Sequence, residues 1–75
     1  MPSDATSQLS QYLDKLGRGS SISWQEITYG PAHDQKWKCV CKIDGEPRGE
    51  GTGSHKHVAK NIAAAQALQY LIEET

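Results

Sequence analysis

Lys56, His57 and Lys60 are the residues of this chain best suited to hold an anion. The two lysines are four apart and His57 lies three before Lys60, so on a helix all three crowd into about one turn. A helix starting there adds its unpaired N–H groups and the positive end of its dipole to their field. Phosphate oxygens suit such a cluster. Without an anion nearby, lysines at a helix N-terminus oppose the dipole, and the alternative is a solvated lysine pair. Just upstream, Gly51 and Gly53 either let the backbone come close to a partner or simply shape the turn.

A second candidate is Gly30-Pro31-Ala32-His33. Proline fixes one dihedral and glycine relaxes another, which predicts a protruding, fairly rigid loop tip. A histidine presented there can exchange hydrogen bonds with hydroxyls and base edges, or fold back to brace its own loop. The third candidate is the polar face of the first helix, with Asp4, Ser7, Ser10 and Gln11. Its serines and glutamine are short, neutral hydrogen-bonding groups suited to a hydroxyl-rich surface, and equally ordinary on any wet helix face.

Other chemistry is poorly served. Cys39, Cys41, His55 and His57 read as C-x-C and H-x-H, whereas structural zinc pairs are typically spaced two to four apart. The cysteines should point inward from a strand as small hydrophobes, far from the histidines, so no metal and no cofactor is expected. Asp14, Glu26, Asp34 and Glu50 form no pair at helical spacing, and no Ser or Cys has an evident base beside it, so no catalytic residue is assigned.

The elements that must position these groups follow from periodicity. Asp4, Thr6 and Ser7 offer cap oxygens to a helix running to about Gly17, with Leu9, Tyr12, Leu13 and Leu16 as its apolar stripe. A strand follows from Ser23 to Tyr29. Trp37, Cys39, Cys41 and Ile43 alternate with Lys38, Val40 and Lys42, a strand with one buried and one wet face. Asp44-Gly45 predicts a two-residue hairpin turn, and Glu46 to about Thr52 a short edge strand blunted by Pro47. The last helix runs from about His55 to Glu73, with Ala59, Ile62, Ala63, Gln66, Ala67, Tyr70 and Leu71 on its buried stripe. The fold class is therefore α+β, in α-β-β-β-α order. The sheet is three-stranded and antiparallel, with both helices packed on its one apolar face.

Seventy-five residues suffice for one domain, here with a core at about 4–72, and leave little room for an enclosed cavity that would take a small-molecule substrate. Eight basic and nine acidic side chains give a net charge of −1, so any attraction to a polyanion depends on placement. Two unpaired thiols predict a reducing compartment, cytoplasmic or nuclear, and no run is long and apolar enough for a membrane span. Met1-Pro2-Ser3 directly ahead of a helix suggests a domain cut from something larger.

Taken together, Gly30-Pro31-Ala32-His33, Gly51-x-Gly53 and Lys56-His57-Val58-Ala59-Lys60 in this element order resemble the double-stranded RNA-binding domain from about Asp4 to Leu71. The resemblance implies a non-catalytic module that recognises A-form shape over roughly 16 base pairs. It would place Ser10 and Gln11, helped by Asp4 or Ser7, in one minor groove and Pro31, Ala32 and His33 in the next. Lys56, His57 and Lys60 would then span the major-groove phosphates between. The implied partner is double-stranded RNA, in a parent protein of RNA processing or regulation with room for a separate catalytic domain. Two departures stand out: the middle basic position, usually lysine, is His57, and Asp4 puts a negative charge near the RNA. Some members of that family instead pair proteins, so the alternative is a protein-interaction or dimerisation module, for example through the third strand's edge. The RNA-binding reading requires the three patches to share one side, with neither ammonium group tucked into an internal ion pair.

Overall fold

The computed structural model describes residues 4–74, so the expectation drawn from Met1-Pro2-Ser3 lies outside the described residues. Helix α1 (Ala5–Lys15) starts where expected: the Asp4 carboxylate accepts a hydrogen bond from the Ser7 N–H at 2.8 Å. That amide, followed by the Ser7 hydroxyl, holds the Asp4 carboxyl below its ordinary range. At the other end Gly17 takes a left-handed φ of 71°. The Arg18 N–H then donates to Leu13 O at 2.8 Å and the Gly17 N–H to Asp14 O at 3.0 Å, closing a Schellman cap. Because this cap stops the helix at Lys15, Leu16 leaves the expected stripe and is 47% exposed, whereas Leu9 and Leu13 are buried.

Strands β1 (Ile22–Tyr29), β2 (Lys36–Ile43) and β3 (Glu46–Gly53) form an antiparallel sheet in the order β1-β2-β3. Asp44 and Gly45, both at positive φ, make the tight β2–β3 turn. Cys39, Cys41 and Ile43 are buried as the alternation predicts. The opposite face is drier than expected, with Val40 only 8% exposed between its cross-strand neighbours Gln25 and Glu50. Lys38 covers part of this face, reaching Glu50 at 3.6 Å.

Helix α2 (Lys56–Glu74) lies across β2 and β3, and α1 packs beside it on the same face of the sheet. Its buried side is narrower than the expected stripe: Ala59, Ala63, Ala64, Ala67 and Leu71. Ile62 is 41% exposed, and Gln66 lies over the edge of β3, its side-chain oxygen accepting the Glu50 N–H at 3.2 Å. Tyr70 is half-buried, with the Arg48 guanidinium 4.4 Å above its ring. The partner that the β3 glycines admit is α2 itself. A Cβ on Gly51 would stand 2.7 Å from Ile62 Cβ and 2.8 Å from Ala63 N, and one on Gly49 would stand 2.9 Å from Ala67 N.

Both cysteines are free thiols. Burial pushes the Cys41 thiol up to about 11 and raises that of Cys39 as well. A proton is therefore retained in the fold that the unfolded chain releases, so stability is fully present at neutral pH and declines as pH rises above roughly 9 towards 11. Titration with a thiol reagent at about pH 8 is expected to show no reaction until denaturant unfolds the domain. Rapid native-state labelling of either cysteine would contradict this burial.

Candidate nucleic-acid interface

The inward face of β1 lays out the site like a ruler. Trp24, Glu26 and Thr28 face the helices and stand opposite Cys41, Cys39 and Trp37 of β2. The first turns of α2 cross above them. Lys60 Nζ lies 4.8 Å from the centre of the Trp24 ring, and Lys56 Nζ lies 5.9 Å from that of Trp37. Each ammonium group thus sits over an indole face in cation–π range while 31% of the Lys60 and 50% of the Lys56 side chain stays exposed.

Glu26 lies between them. Its carboxylate is 3.4 Å from Lys56 Nζ and 3.9 Å from Lys60 Nζ, with 28% of the side chain exposed. This corrects the expectation that neither ammonium group is ion-paired: both are, on one shared carboxylate. The pairs are long and lie at the surface, where such bridges are worth about 0–1 kcal/mol, so the ammonium groups remain open to a competing anion. Trp24, Glu26 and Trp37 do not stand out as site residues in the sequence, because indoles on strands read as core and Glu26 has no acidic partner at helical spacing. The available signal was Trp24-x-Glu26 at strand spacing.

The three sequence-derived patches fall in order along this ruler. Ser7, Ser10 and Gln11, all exposed on α1, line an open groove of about 390 Å³ with Trp24 and Lys60. Lys60, then Lys56, follow towards Trp37. Beyond Thr28 and Tyr29 the chain enters the loop, where Gly30 adopts a φ of 91° and Pro31, Ala32 and His33 form an exposed 3-10 turn closed by Asp34 N–H to Pro31 O at 2.9 Å. Among the described residues no hydrogen-bond partner is found for the His33 ring, while Asp34 pairs with Lys36 at 3.0 Å. His57 is exposed and stacks on His55 with ring centres 5.7 Å apart. Trp37 pairs with Gly53 at the end of β3, so the loop and the start of α2 share one end of the sheet.

The Asn61 side-chain oxygen accepts the Ala5 N–H at 2.6 Å, using one of the orphan donors at the start of α1. One residue past Lys60, Asn61 thereby fixes where α1 meets the basic turn. Asn61→Ala is expected to cost about 1 kcal/mol of stability in a urea titration and to speed hydrogen exchange at the first turn of α1. Unchanged exchange there would show that the contact does not hold the helix.

Relatives are found among ribonucleases and kinases. The chain is 41% identical over 70 residues to Ribonuclease 3 of Hahella chejuensis, covering 87% of this chain and 29% of that protein. It is 34% identical over 68 residues to Ribonuclease 3 of Acinetobacter baylyi, covering 91% and 30%. It is 36% identical over 69 residues to the interferon-induced, double-stranded RNA-activated protein kinase of Rattus norvegicus, covering 84% and 14%. The chain thus spans less than a third of these relatives. The solved C-terminal dsRBD of the fission yeast Dicer superposes with a TM-score of 0.66, covering all of this chain and 85% of that one; at 14% identity the likeness concerns the fold. Residues 5–71 match the double-stranded RNA binding motif, and the chain belongs to that family of double-stranded RNA-binding domains.

Proposed function

We propose that the domain grips A-form RNA duplex through two successive minor grooves and the phosphates of the major groove between them, and that it does so without catalysing a reaction. The observation that carries this mode is the order along β1: neutral hydrogen-bonding side chains of α1, then the ammonium groups of Lys60 and Lys56, then the exposed loop with His33. The A-form major groove is too narrow for side chains to read its bases but exposes phosphates, whereas its wide minor groove shows 2′-hydroxyls that serine, glutamine and histidine can address. In this mode Ser7, Ser10 and Gln11 meet one minor groove, and Pro31, Ala32 and His33 the other. Lys56, His57 and Lys60 bridge the phosphates. A parent protein acting in RNA processing follows as part of the same proposal.

A competing dimerisation through β3 has less in its favour. Pro47 offers no N–H, and the Glu50 N–H is engaged by Gln66. Titrating the domain with a duplex RNA of about 20 base pairs, the matching DNA duplex and a single strand tests the proposal. Binding of the RNA duplex well ahead of the other two is expected. Equal affinity for the DNA duplex would reduce the interaction to ionic attraction, and no RNA binding at low salt would end the proposal.

A further inference from the structure

Resting on that reading, we infer that Glu26 is an internal competitor for the RNA phosphates and sets the affinity of the site. Its carboxylate stands where an incoming phosphate would have to stand, within 4 Å of both ammonium groups at 3.4 and 3.9 Å. The indoles of Trp24 and Trp37 lie beneath the two ammonium groups, so the carboxylate faces a ready-made pair of cations. An arriving phosphate displaces Glu26 from that pair but leaves its charge within a few ångströms, because β1 fixes its backbone opposite Cys39. The basic turn therefore presents two positive charges and one negative one to any polyanion. In a chain whose net charge is already −1, this limits binding by a duplex that engages the basic turn alone. Tight binding then depends on all three patches being engaged together.

Glu26→Gln keeps the shape of the side chain and removes its charge, and it tests the inference. Affinity for a duplex RNA of about 20 base pairs is expected to rise about five-fold near 0.1 M salt, the size of one screened charge–charge interaction across a few ångströms. The gain should shrink as salt is raised and fall below about two-fold in a Lys56→Ala/Lys60→Ala background, where only direct repulsion between Glu26 and the phosphates is left to remove. Glu73→Gln makes the same change in net charge at roughly 20 Å along α2 from Lys60, at about 1.5 Å per residue, and should leave binding unaltered. Urea titration of each variant confirms that it is folded. RNA bound by the wild type but no more tightly by Glu26→Gln overturns the inference alone, and shows that Glu26 only orders the lysines. A gain undiminished without the lysines, or one that Glu73→Gln reproduces, overturns it as well. Should neither wild type nor Glu26→Gln bind, the binding mode falls and the inference with it.

Discussion

Replacing Lys56 and Lys60 together with alanine is expected to weaken binding to a duplex RNA of about 20 base pairs by about 50-fold near 0.1 M salt. Each lysine gives up a charge-assisted contact worth about 1 kcal/mol here, below the usual range of about 1.5–3 for such bonds, because both groups are partly solvated and already partnered by Glu26. Two such losses make about 30-fold, at 1.4 kcal/mol for each factor of ten. The Glu26 carboxylate left behind then faces the phosphates unopposed, which adds the remainder. The slope of log affinity against log salt should flatten by about two contacts' worth. Folding should be little affected: alanine is a better helix former than lysine, and the main loss is the cation–π contact over Trp24 and Trp37. Mobility shift across a salt series, with a urea titration alongside, checks both parts. A double variant that binds as the wild type does would remove the basic turn from the interface.

Gly49→Ala is expected to destabilise the fold strongly for a single added methyl group. The new Cβ would collide with the Ala63 carbonyl and stand 2.9 Å from Ala67 N, contacts with helix backbone that no rotamer change relieves. To make room, α2 must lift from β3, opening the alanine-lined seam that holds Ala59, Ala63 and Ala67 out of water. Overpacking of this kind costs about 3 kcal/mol or more where the backbone cannot yield. A domain of this size holds only about 4–11 kcal/mol in all, at roughly 0.05–0.15 per residue. Thermal unfolding followed by circular dichroism should show a melting point lowered by well over 10 °C, since about 1 kcal/mol shifts it by 4–8 °C in a domain this small. A near-wild-type melting point would mean that α2 sits farther from β3 than the structure places it.

These two expectations sit at opposite ends of what could be read in advance. The basic turn was legible because Lys56, His57 and Lys60 lie within one helical turn, and neighbours so close in sequence have little freedom over their relative placement. The Asp4 cap, the Asp44-Gly45 hairpin and the alternation of Cys39, Cys41 and Ile43 were legible for the same reason. Gly51 and Gly53 stand out in the sequence as sites of close approach but Gly49 does not, and nothing local says that Gly49 and Gly51 meet the backbone of α2 at Ala63 and Ala59. Leu16 was misplaced by a local effect, the turn at Gly17 that ends the helix early.

By itself, the sequence determined the element order, the buried alternation of Cys39, Cys41 and Ile43, the helix core positions Leu9, Leu13, Ala59, Ala63, Ala67 and Leu71, and three clusters of residues suited to nucleic acid, since each rests on contacts within a few residues or on a simple period. Only the tertiary structure decided that Lys56 and Lys60 rest on Trp37 and Trp24 and share Glu26. That arrangement depends on the register of β1 against β2 and on the path of α2 across the sheet, which bring together residues 19 to 36 positions apart. Charge type is written residue by residue, but which charges meet is settled where the backbones pack.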